Sequence, residues 1–316
     1  MALTSVLLIA ASVPLLYLGA AWLVDNAAEL GRRAGVSALL VGLTVVAFGT
    51  STPELVVSLL SAAAGQAEVA VGNALGSNLF NIGVVLAAGA LLAPLAVARE
   101  QIAPHGLALF ASAFVFLFAA LDGTLSAVEG AAMLLTLAVF LAASYKSGAT
   151  GRMEVALPPE ALERGVPGAP PSLVLGGILV GLLFLVVGAQ ALVTGAVELA
   201  EGMGVTPRVV GLTIVAAGTS LPELATTVVA AGKKQADIAL GNVVGSNIFN
   251  ILGILGASAA IFPLAVHPSS LVDFTVMLGF TAALLAFSRS GGRITRPEGA
   301  ALLGGYLVYL AWLLAA

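Results

Sequence analysis

The chain contains 316 residues, of which 60% are hydrophobic and 9% are charged, whereas a soluble domain carries about 25% charged residues. The mean hydropathy of +1.11 is typical of transmembrane helices, so a soluble fold is excluded. A net charge of −4 with dispersed basic residues argues against a nucleic-acid partner, and the absence of cysteine excludes disulfides and thiolate metal sites.

Ten apolar segments follow one another along the chain and predict an all-α polytopic membrane protein. Their unbroken apolar runs favour helices over the alternating pattern of a β-barrel. The segments cover approximately residues 3–24, 37–63, 69–92, 103–121, 124–145, 172–194, 206–231, 237–262, 271–288 and 298–315. A proline-rich connection divides them, which predicts one five-helix repeat over 1–145, a linker over 146–171 and a second five-helix repeat over 172–316.

The basic residues predict the orientation of these helices, since Lys and Arg near helix ends favour the cytoplasm. With the N-terminus outside, eleven of the twelve basic residues face inward and only Arg208 faces outward. We therefore expect a protein of the cell (inner) membrane with both termini outside and the 146–171 linker in the cytoplasm. Five spans in each half place the second half in the opposite orientation to the first.

The two halves also repeat in sequence. A shift of 169 residues aligns Gly42–Ile82 with Gly211–Ile251 without a gap, and 23 of the 41 positions are identical. Inverted repeats of this kind are a transporter architecture in which discontinuous helices meet near the bilayer midplane. We therefore expect the second, third, seventh and eighth helices to be broken.

The second and seventh segments each place one glutamate, Glu54 or Glu223, deep in an apolar run. A buried acid in a membrane costs about 3 kcal/mol on insertion scales and usually marks an ion or proton pathway. The adjacent Gly-Thr-Ser-x-Pro-Glu patterns predict a helix break at Gly49 and Gly218 and a new helix start at the prolines. Such breaks would free main-chain carbonyls for cation coordination, namely those of Ala47, Thr50, Ala216 and Thr219.

A purely structural interpretation of the same motifs is a capping box. In that arrangement the serine and the glutamate of one repeat, Ser51 with Glu54 or Ser220 with Glu223, satisfy each other's helix end. A serine could cap the helix without a buried charge, so we favour an ion pathway.

The third and eighth segments carry the repeated pattern Gly-Asn-x-x-Gly-Ser-Asn-x-Phe-Asn. Ser77 and Asn81 lie on one helical face, as do Ser246 and Asn250, because each pair is four residues apart. The glycine pairs, Gly72 with Gly76 and Gly241 with Gly245, are typical of close helix packing. We expect the remaining asparagines, Asn73, Asn78, Asn242 and Asn247, to bond neighbouring backbone.

Carboxylates, hydroxyls, amides and loosened carbonyls together make an all-oxygen site, which suits hard cations such as Ca²⁺ or Na⁺. Two negative charges match one divalent ion or two or more monovalent ions. No separate cofactor is expected, and the expected partners are the transported ions and the lipid bilayer, with no obligatory protein partner.

The duplicated motifs resemble the two α-repeats of the cation/calcium antiporter superfamily, most closely its prokaryotic sodium/calcium exchangers. The resemblance implies Na⁺/Ca²⁺ antiport by alternating access, with Glu54 and Glu223 as shared ligands and the backbone oxygens of Thr50 and Thr219 beside them. It further implies an inward Na⁺ site and its outward mirror, with two amides completing the middle. These groups are Ser51, Ser77 and the Ala47 carbonyl, then Ser220, Ser246 and the Ala216 carbonyl, and finally Asn81 and Asn250.

One position departs from part of that family, since some members have aspartate where this chain has Asn250. The coupling ion therefore stays open, and exchange of Ca²⁺ or another cation for H⁺ is the alternative to Na⁺ coupling. A passive cation channel is a further alternative, although such filters usually need several subunits. An enzyme is disfavoured, because the chain has no HExxH motif and no Ser/His pair within its spans.

Overall fold

The computed structural model describes residues 2–96, 99–120, 122–150, 170–205, 214, 216–289 and 291–315. Most of these residues are helical. We number the helices in chain order as α1 Ala2–Ala34, α2 Ala38–Thr50, α3 Thr52–Ala63, α4 Ala67–Leu92, α5 Arg99–Ala119, α6 Ala127–Thr150, α7 Pro171–Gly202, α8 Ala216–Gly218, α9 Leu221–Gly232, α10 Ala236–Ile261, α11 Pro268–Arg289 and α12 Arg296–Ala315.

Seven of the described helices are long and apolar enough to cross a membrane, and α2 with α3 forms an eighth span that is bent by 47°. Apolar helices also occupy the two remaining predicted spans, but the qualifying stretches, His105–Phe118 and Leu221–Gly232, are shorter. The protein is therefore a helical membrane protein, and the count of ten spans stays a prediction. Most of the predicted linker, residues 151–169, lies outside the described residues, as do 206–213 of the seventh span.

The core of the molecule is formed by α4 and α10. In α10, 94% of the most apolar 18-residue window is buried inside the protein, and in α4 67%, against 11% in α12 and 17% in α6. The outer helices present apolar side chains such as Leu307 and Val308 outward, as expected for surfaces solvated by lipid. Any polar group on the inner faces of α4 and α10 is thus held away from both water and lipid.

Glycines bring α2 and α10 into backbone contact. A Cβ atom at Gly241 would lie 2.5 Å from the main-chain oxygen of Leu39, and one at Gly245 would lie 2.5 Å from that of Leu43. The predicted packing role of this glycine pair is confirmed. For Gly72 and Gly76 no described atom lies within 4 Å of such a Cβ, and the segment that the repeat would place there, 206–213, is outside the described residues.

The first helix of each half packs against the other in the same way. A Cβ atom at Gly19 of α1 would lie 2.8 Å from the main-chain oxygen of Gly181 of α7, and one at Gly181 would lie 2.9 Å from that of Gly19. The rings of Trp22 and Phe184 stack beside this crossing, with centroids 5.3 Å apart. Because each glycine approaches the backbone of the other, α1 and α7 form a closely packed pair.

Four two-residue strands relate the halves by an approximate two-fold operation. They are β1 Leu95–Ala96, β2 Thr124–Leu125, β3 Leu264–Ala265 and β4 Arg293–Ile294. β1 pairs with β4 and β2 pairs with β3, both antiparallel. β3 lies 169 residues after β1, and β4 lies 169 residues after β2. Exchanging the two halves therefore converts the β1–β4 pair into the β3–β2 pair.

The predicted break of the second helix is confirmed, but α2 continues through Gly49 to Thr50, so the break lies at Ser51, where α3 begins with Pro53 in its first turn. The described part of the seventh span breaks equivalently at Ser220, before Pro222.

The predicted breaks of the third and eighth helices are wrong. α4 and α10 run without interruption through π-helical segments, Asn81–Leu86 and Phe249–Leu255. Neither segment contains a proline that would remove a backbone N–H, so hydrogen bonding continues with a widened turn.

Candidate cation site

Glu54 and Glu223 lie in the first turns of α3 and α9, directly after the helix breaks, and both side chains are completely buried. The prolines before them place each carboxylate at a helix N-terminus, where the helix dipole favours negative charge. Within the described part of the chain, no third acidic or histidine side chain joins them in a metal-binding group. Further ligands from the described residues would therefore be neutral oxygens.

A serine from each half donates to the glutamate of the other half. The hydroxyl of Ser51 donates to Oε1 of Glu223 at 2.8 Å, and the hydroxyl of Ser220 donates to Oε1 of Glu54 at 3.0 Å. Neither serine makes a side-chain capping bond within its own helix. The capping-box interpretation is therefore wrong, and the two motifs instead form one site across the interface between the halves.

Two asparagines hold the main chain of the glutamates. Asn73 donates to the main-chain oxygen of Glu54 at 3.1 Å and to the hydroxyl of Ser58 at 2.9 Å. Asn242 makes the matching bonds to Glu223, at 3.3 Å, and to Thr227, at 3.0 Å. The expectation that these asparagines bond neighbouring backbone is confirmed. The anchoring hydroxyls were not predicted, although their equivalent positions in the repeat were a usable signal.

Several buried polar atoms of the predicted ligand set have no hydrogen-bond partner among the described residues. They are Oε2 of Glu54, Oε2 of Glu223, Oγ of Ser77, Oδ1 of Asn250, Oγ1 of Thr219, and both polar side-chain atoms of Asn81. Buried polar groups are normally paired, because an unpaired one costs about 1–3 kcal/mol. A concentration of such oxygens on predicted ligands is the arrangement that a bound cation would satisfy.

The two asparagines of this set lie at widened turns of the central helices. Asn81 begins the π-helical segment of α4, and Asn250 lies in that of α10. Single π-helical turns occur frequently at functional sites, since they shift side chains out of the regular helical register. Ser246 on α10 lies 3.5 Å from Oε1 of Glu223 and thus joins the site.

The threonine and the carbonyl at the first break already have hydrogen-bonding neighbours. The hydroxyl of Thr50 lies 3.2 Å from Oδ1 of Asn242 and 3.3 Å from the main-chain oxygen of Ala47. The prediction that the break frees the Ala47 carbonyl is wrong, because the N–H of Ser51 still donates to it at 3.0 Å. One lone pair of that carbonyl remains for a cation, since an amide oxygen has two. Ala216 lies on α8, at the equivalent break.

A cavity reaches the site from one side. Its volume is about 420 Å³ and it extends to Thr219. It lies between α3, α7 and the break after α8, with walls formed by Thr52, Pro53, Val56, Val57, Val186, Ala189, Gln190, Val193, Gly218 and Thr219. At the equivalent positions of the other half, Ala20, Val24 and Thr226 are fully buried and Thr50 is 1% exposed. The structure thus has a cavity beside Thr219, whereas these four counterparts on the Thr50 side are buried. We call the first the open side and the second the closed side.

Comparison with known proteins finds relatives that match this chain over nearly its whole length. A family profile described as "Sodium/calcium exchanger protein" matches residues 4–146 and again residues 173–315. The putative antiporter CaxA of Alkalimonas amylolytica is 39% identical over 291 residues, covering 90% of this chain and 91% of that protein. The sodium/calcium exchanger MaX1 of Methanosarcina acetivorans is 32% identical over 337 residues, covering 92% and 93%.

A solved structure of the sodium-calcium exchanger NCX_Mj, soaked with 10 mM Na⁺ and no Ca²⁺, superimposes with a TM-score of 0.82 at 29% identity. The match covers 98% of this chain and 99% of NCX_Mj. Fold, profile and relatives therefore agree over nearly the whole length, and the chain belongs to the sodium/calcium exchanger family.

Proposed function

We propose that the protein is a secondary active antiporter that exchanges Na⁺ for Ca²⁺ by alternating access. The observation that carries the proposal is the set of unpaired, buried oxygens on Glu54, Glu223 and other predicted ligands. Oxygen ligands suit hard cations such as Na⁺ and Ca²⁺. Membership of the sodium/calcium exchanger family supports this choice of ions.

The proposed ligands are twelve residues at the two breaks and on the central helices. Glu54 and Glu223 are shared between Ca²⁺ and Na⁺. The remaining proposed ligands are the hydroxyls or carbonyls of Thr50, Thr219, Ser51, Ser220, Ser77, Ser246, Ala47 and Ala216, and the amides of Asn81 and Asn250.

The two carboxylates explain why transport would be coupled. Both are completely buried, and uncompensated charge in such a place is costly. The protein with an empty, charged site therefore resists the rearrangement that moves access from one side of the membrane to the other. A bound cation neutralises the carboxylates and permits that rearrangement. Either one Ca²⁺ or two Na⁺ balances two carboxylates. Exchange of more than two Na⁺ for each Ca²⁺ would make the cycle electrogenic.

The membrane arrangement that we propose is ten spans in two five-helix repeats of opposite orientation. The two-fold exchange of strand pairs, β1–β4 and β2–β3, supports the repeat, and an odd number of spans per repeat inverts it. The distribution of basic residues then places both termini outside the inner membrane and residues 146–171 in the cytoplasm.

The test is Ca²⁺ uptake by proteoliposomes that contain the purified protein and are loaded with Na⁺. We expect uptake to require an outward Na⁺ gradient and to respond to an imposed membrane potential. Glu54→Gln and Glu223→Gln should each abolish it. Glu68→Gln is the matched control, because that glutamate lies on the surface with its side chain 69% exposed.

Two other outcomes would overturn the proposal. Uptake that is driven by a pH gradient and is indifferent to Na⁺ would identify a cation/H⁺ antiporter. Ca²⁺ flux without any counter-ion would identify a passive channel.

A further inference from the structure

Three asparagines form a chain of hydrogen bonds that ends at a proposed cation ligand. Asn78 on α4 and Asn247 on α10 occupy equivalent positions in the two halves, and both are completely buried. The side-chain nitrogen of Asn78 donates to the main-chain oxygen of Asn247 at 3.1 Å, and lies 3.5 Å from the sulfur of Met277. The side-chain nitrogen of Asn250 donates to Oδ1 of Asn78 at 3.0 Å.

The chemistry of these partners fixes which end of each amide faces which neighbour. A main-chain oxygen and a thioether sulfur accept hydrogen bonds but cannot donate them. The end of the Asn78 side chain that faces them must therefore be its NH₂ group, and the end that faces Asn250 must be its oxygen. An amide oxygen also only accepts, so Asn250 must turn its own NH₂ group toward Asn78.

The oxygen of Asn250 is consequently turned away from Asn78. It is buried and has no hydrogen-bond partner among the described residues. The other half repeats only the first bond, because Asn247 donates to the main-chain oxygen of Asn78 at 3.4 Å. Both polar side-chain atoms of Asn81, the counterpart of Asn250, have no hydrogen-bond partner among the described residues. Of the two proposed amide ligands, only Asn250 is thus oriented by an asparagine of the central helices.

We propose that Asn78 is a positioning residue that orients Asn250 with its oxygen toward the transported cation. The inference rests on the proposed function, because it takes Asn250 as a ligand. An amide attracts a cation with its oxygen and repels it with its NH₂ group. An unrestrained Asn250 would populate both orientations, whereas the bond to Asn78 selects the binding orientation before the cation arrives.

Asn78→Ala removes the acceptor and leaves Asn250 in place. We expect the Ca²⁺ concentration for half-maximal uptake by Na⁺-loaded proteoliposomes to rise about fivefold, the factor that corresponds to the loss of one hydrogen bond. The decisive readout is non-additivity. In an Asn250→Ala background the ligand is gone, so Asn78→Ala should add no further change. A role of Asn78 in packing alone would instead multiply the two effects.

Asn247→Ala is the matched control. It removes the equivalent side chain but keeps both the main-chain oxygen that holds Asn78 and the Asn78–Asn250 bond, so the half-maximal concentration should stay within about twofold of wild type. If Asn78→Ala does not give a monodisperse protein, Asn78→Leu is used in its place, because it removes the same acceptor and keeps a similar side-chain volume.

An unchanged half-maximal concentration in the folded Asn78 variant, or effects that multiply with those of Asn250→Ala, would overturn the inference. Either result leaves the Na⁺-dependent uptake of the wild type intact. It is therefore distinct from failure of the proposed function, in which the wild type itself shows no such uptake.

Discussion

An ion pair on the closed side of the protein joins α1 to the end of α9. The ammonium of Lys233 lies 2.6 Å from a carboxylate oxygen of Asp25 and donates to the main-chain oxygen of Ala21 at 3.1 Å. Ala21 is the repeat counterpart of Gln190, which lines the open cavity on the other side. The counterparts of the charged pair are Ala64 and Thr194, which cannot form an ion pair. This ion pair between two helices on the closed side therefore has no counterpart at the equivalent positions of the open side.

Lys233→Ala introduces the residue that occupies the equivalent position of the open side, Ala64. It should destabilise the conformation in which the closed side is shut. The two charged side chains are 15% and 25% exposed, so solvent screens the pair and its net contribution lies near the upper end measured for surface pairs, about 1 kcal/mol. If the closed side must open for transport, as alternating access requires, the population that is open toward Lys233 should rise about fivefold.

The assay uses the absence of cysteine from the chain. Ala225→Cys places a single thiol on α9, at the counterpart of Val56, which lines the open cavity. Its labelling by a water-soluble maleimide should be about fivefold faster in the Lys233→Ala background. Arg33→Ala is the control, because the ion pair of Arg33 with Glu29 lies within α1 and joins no second helix. Equal labelling rates with and without Lys233 would refute the reasoning.

Two further predictions follow from the packing and from the serine contacts. Gly241→Ala should lower the thermal unfolding midpoint of the detergent-purified protein, because its Cβ would lie 2.5 Å from a main-chain oxygen of α2 and overpacking costs about 1–3 kcal/mol. Gly176→Ala is the control and should leave the midpoint unchanged, because there is open space around Gly176. Equal midpoints for the two variants would contradict the packing. Ser220→Ala should weaken Ca²⁺ binding about tenfold in titration calorimetry, because it removes the hydrogen bond to Glu54 and such bonds to charged groups contribute about 1.5–3 kcal/mol. Unchanged affinity would show that this serine does not shape the site.

The features that the sequence predicts correctly are those with a local or periodic cause. The break at Ser51 follows from a glycine and a proline close together, and the burial of Glu54 and Glu223 follows from their place in apolar segments. The continuity of α4 and α10 was missed, because breaks there were expected from the general architecture of inverted-repeat transporters and not from the residues of these two helices. Nothing in the residue pattern distinguishes a π-helical turn from an interruption.

Contacts between the halves were beyond the sequence for a different reason. The spacing of Ser51 and Glu54 fits a capping box as well as it fits a bond to the other repeat, and only tertiary structure shows that the serine reaches Glu223. The repeat also predicts symmetry, whereas the cavity beside Thr219 and the Asp25–Lys233 pair depart from it. The cavity belongs to the conformation that the structure shows, which the residue pattern does not specify, whereas the ion pair is asymmetric because its repeat counterparts are Thr194 and Ala64.

Competition between the two ions at one site tests the account most directly. Calorimetric titration of the purified protein with Ca²⁺ at increasing Na⁺ concentrations should show Ca²⁺ binding that Na⁺ displaces, and Glu54→Gln and Glu223→Gln should each abolish it. Ca²⁺ binding that is indifferent to Na⁺, or that persists in both glutamine variants, would contradict a shared cation site built on these two carboxylates.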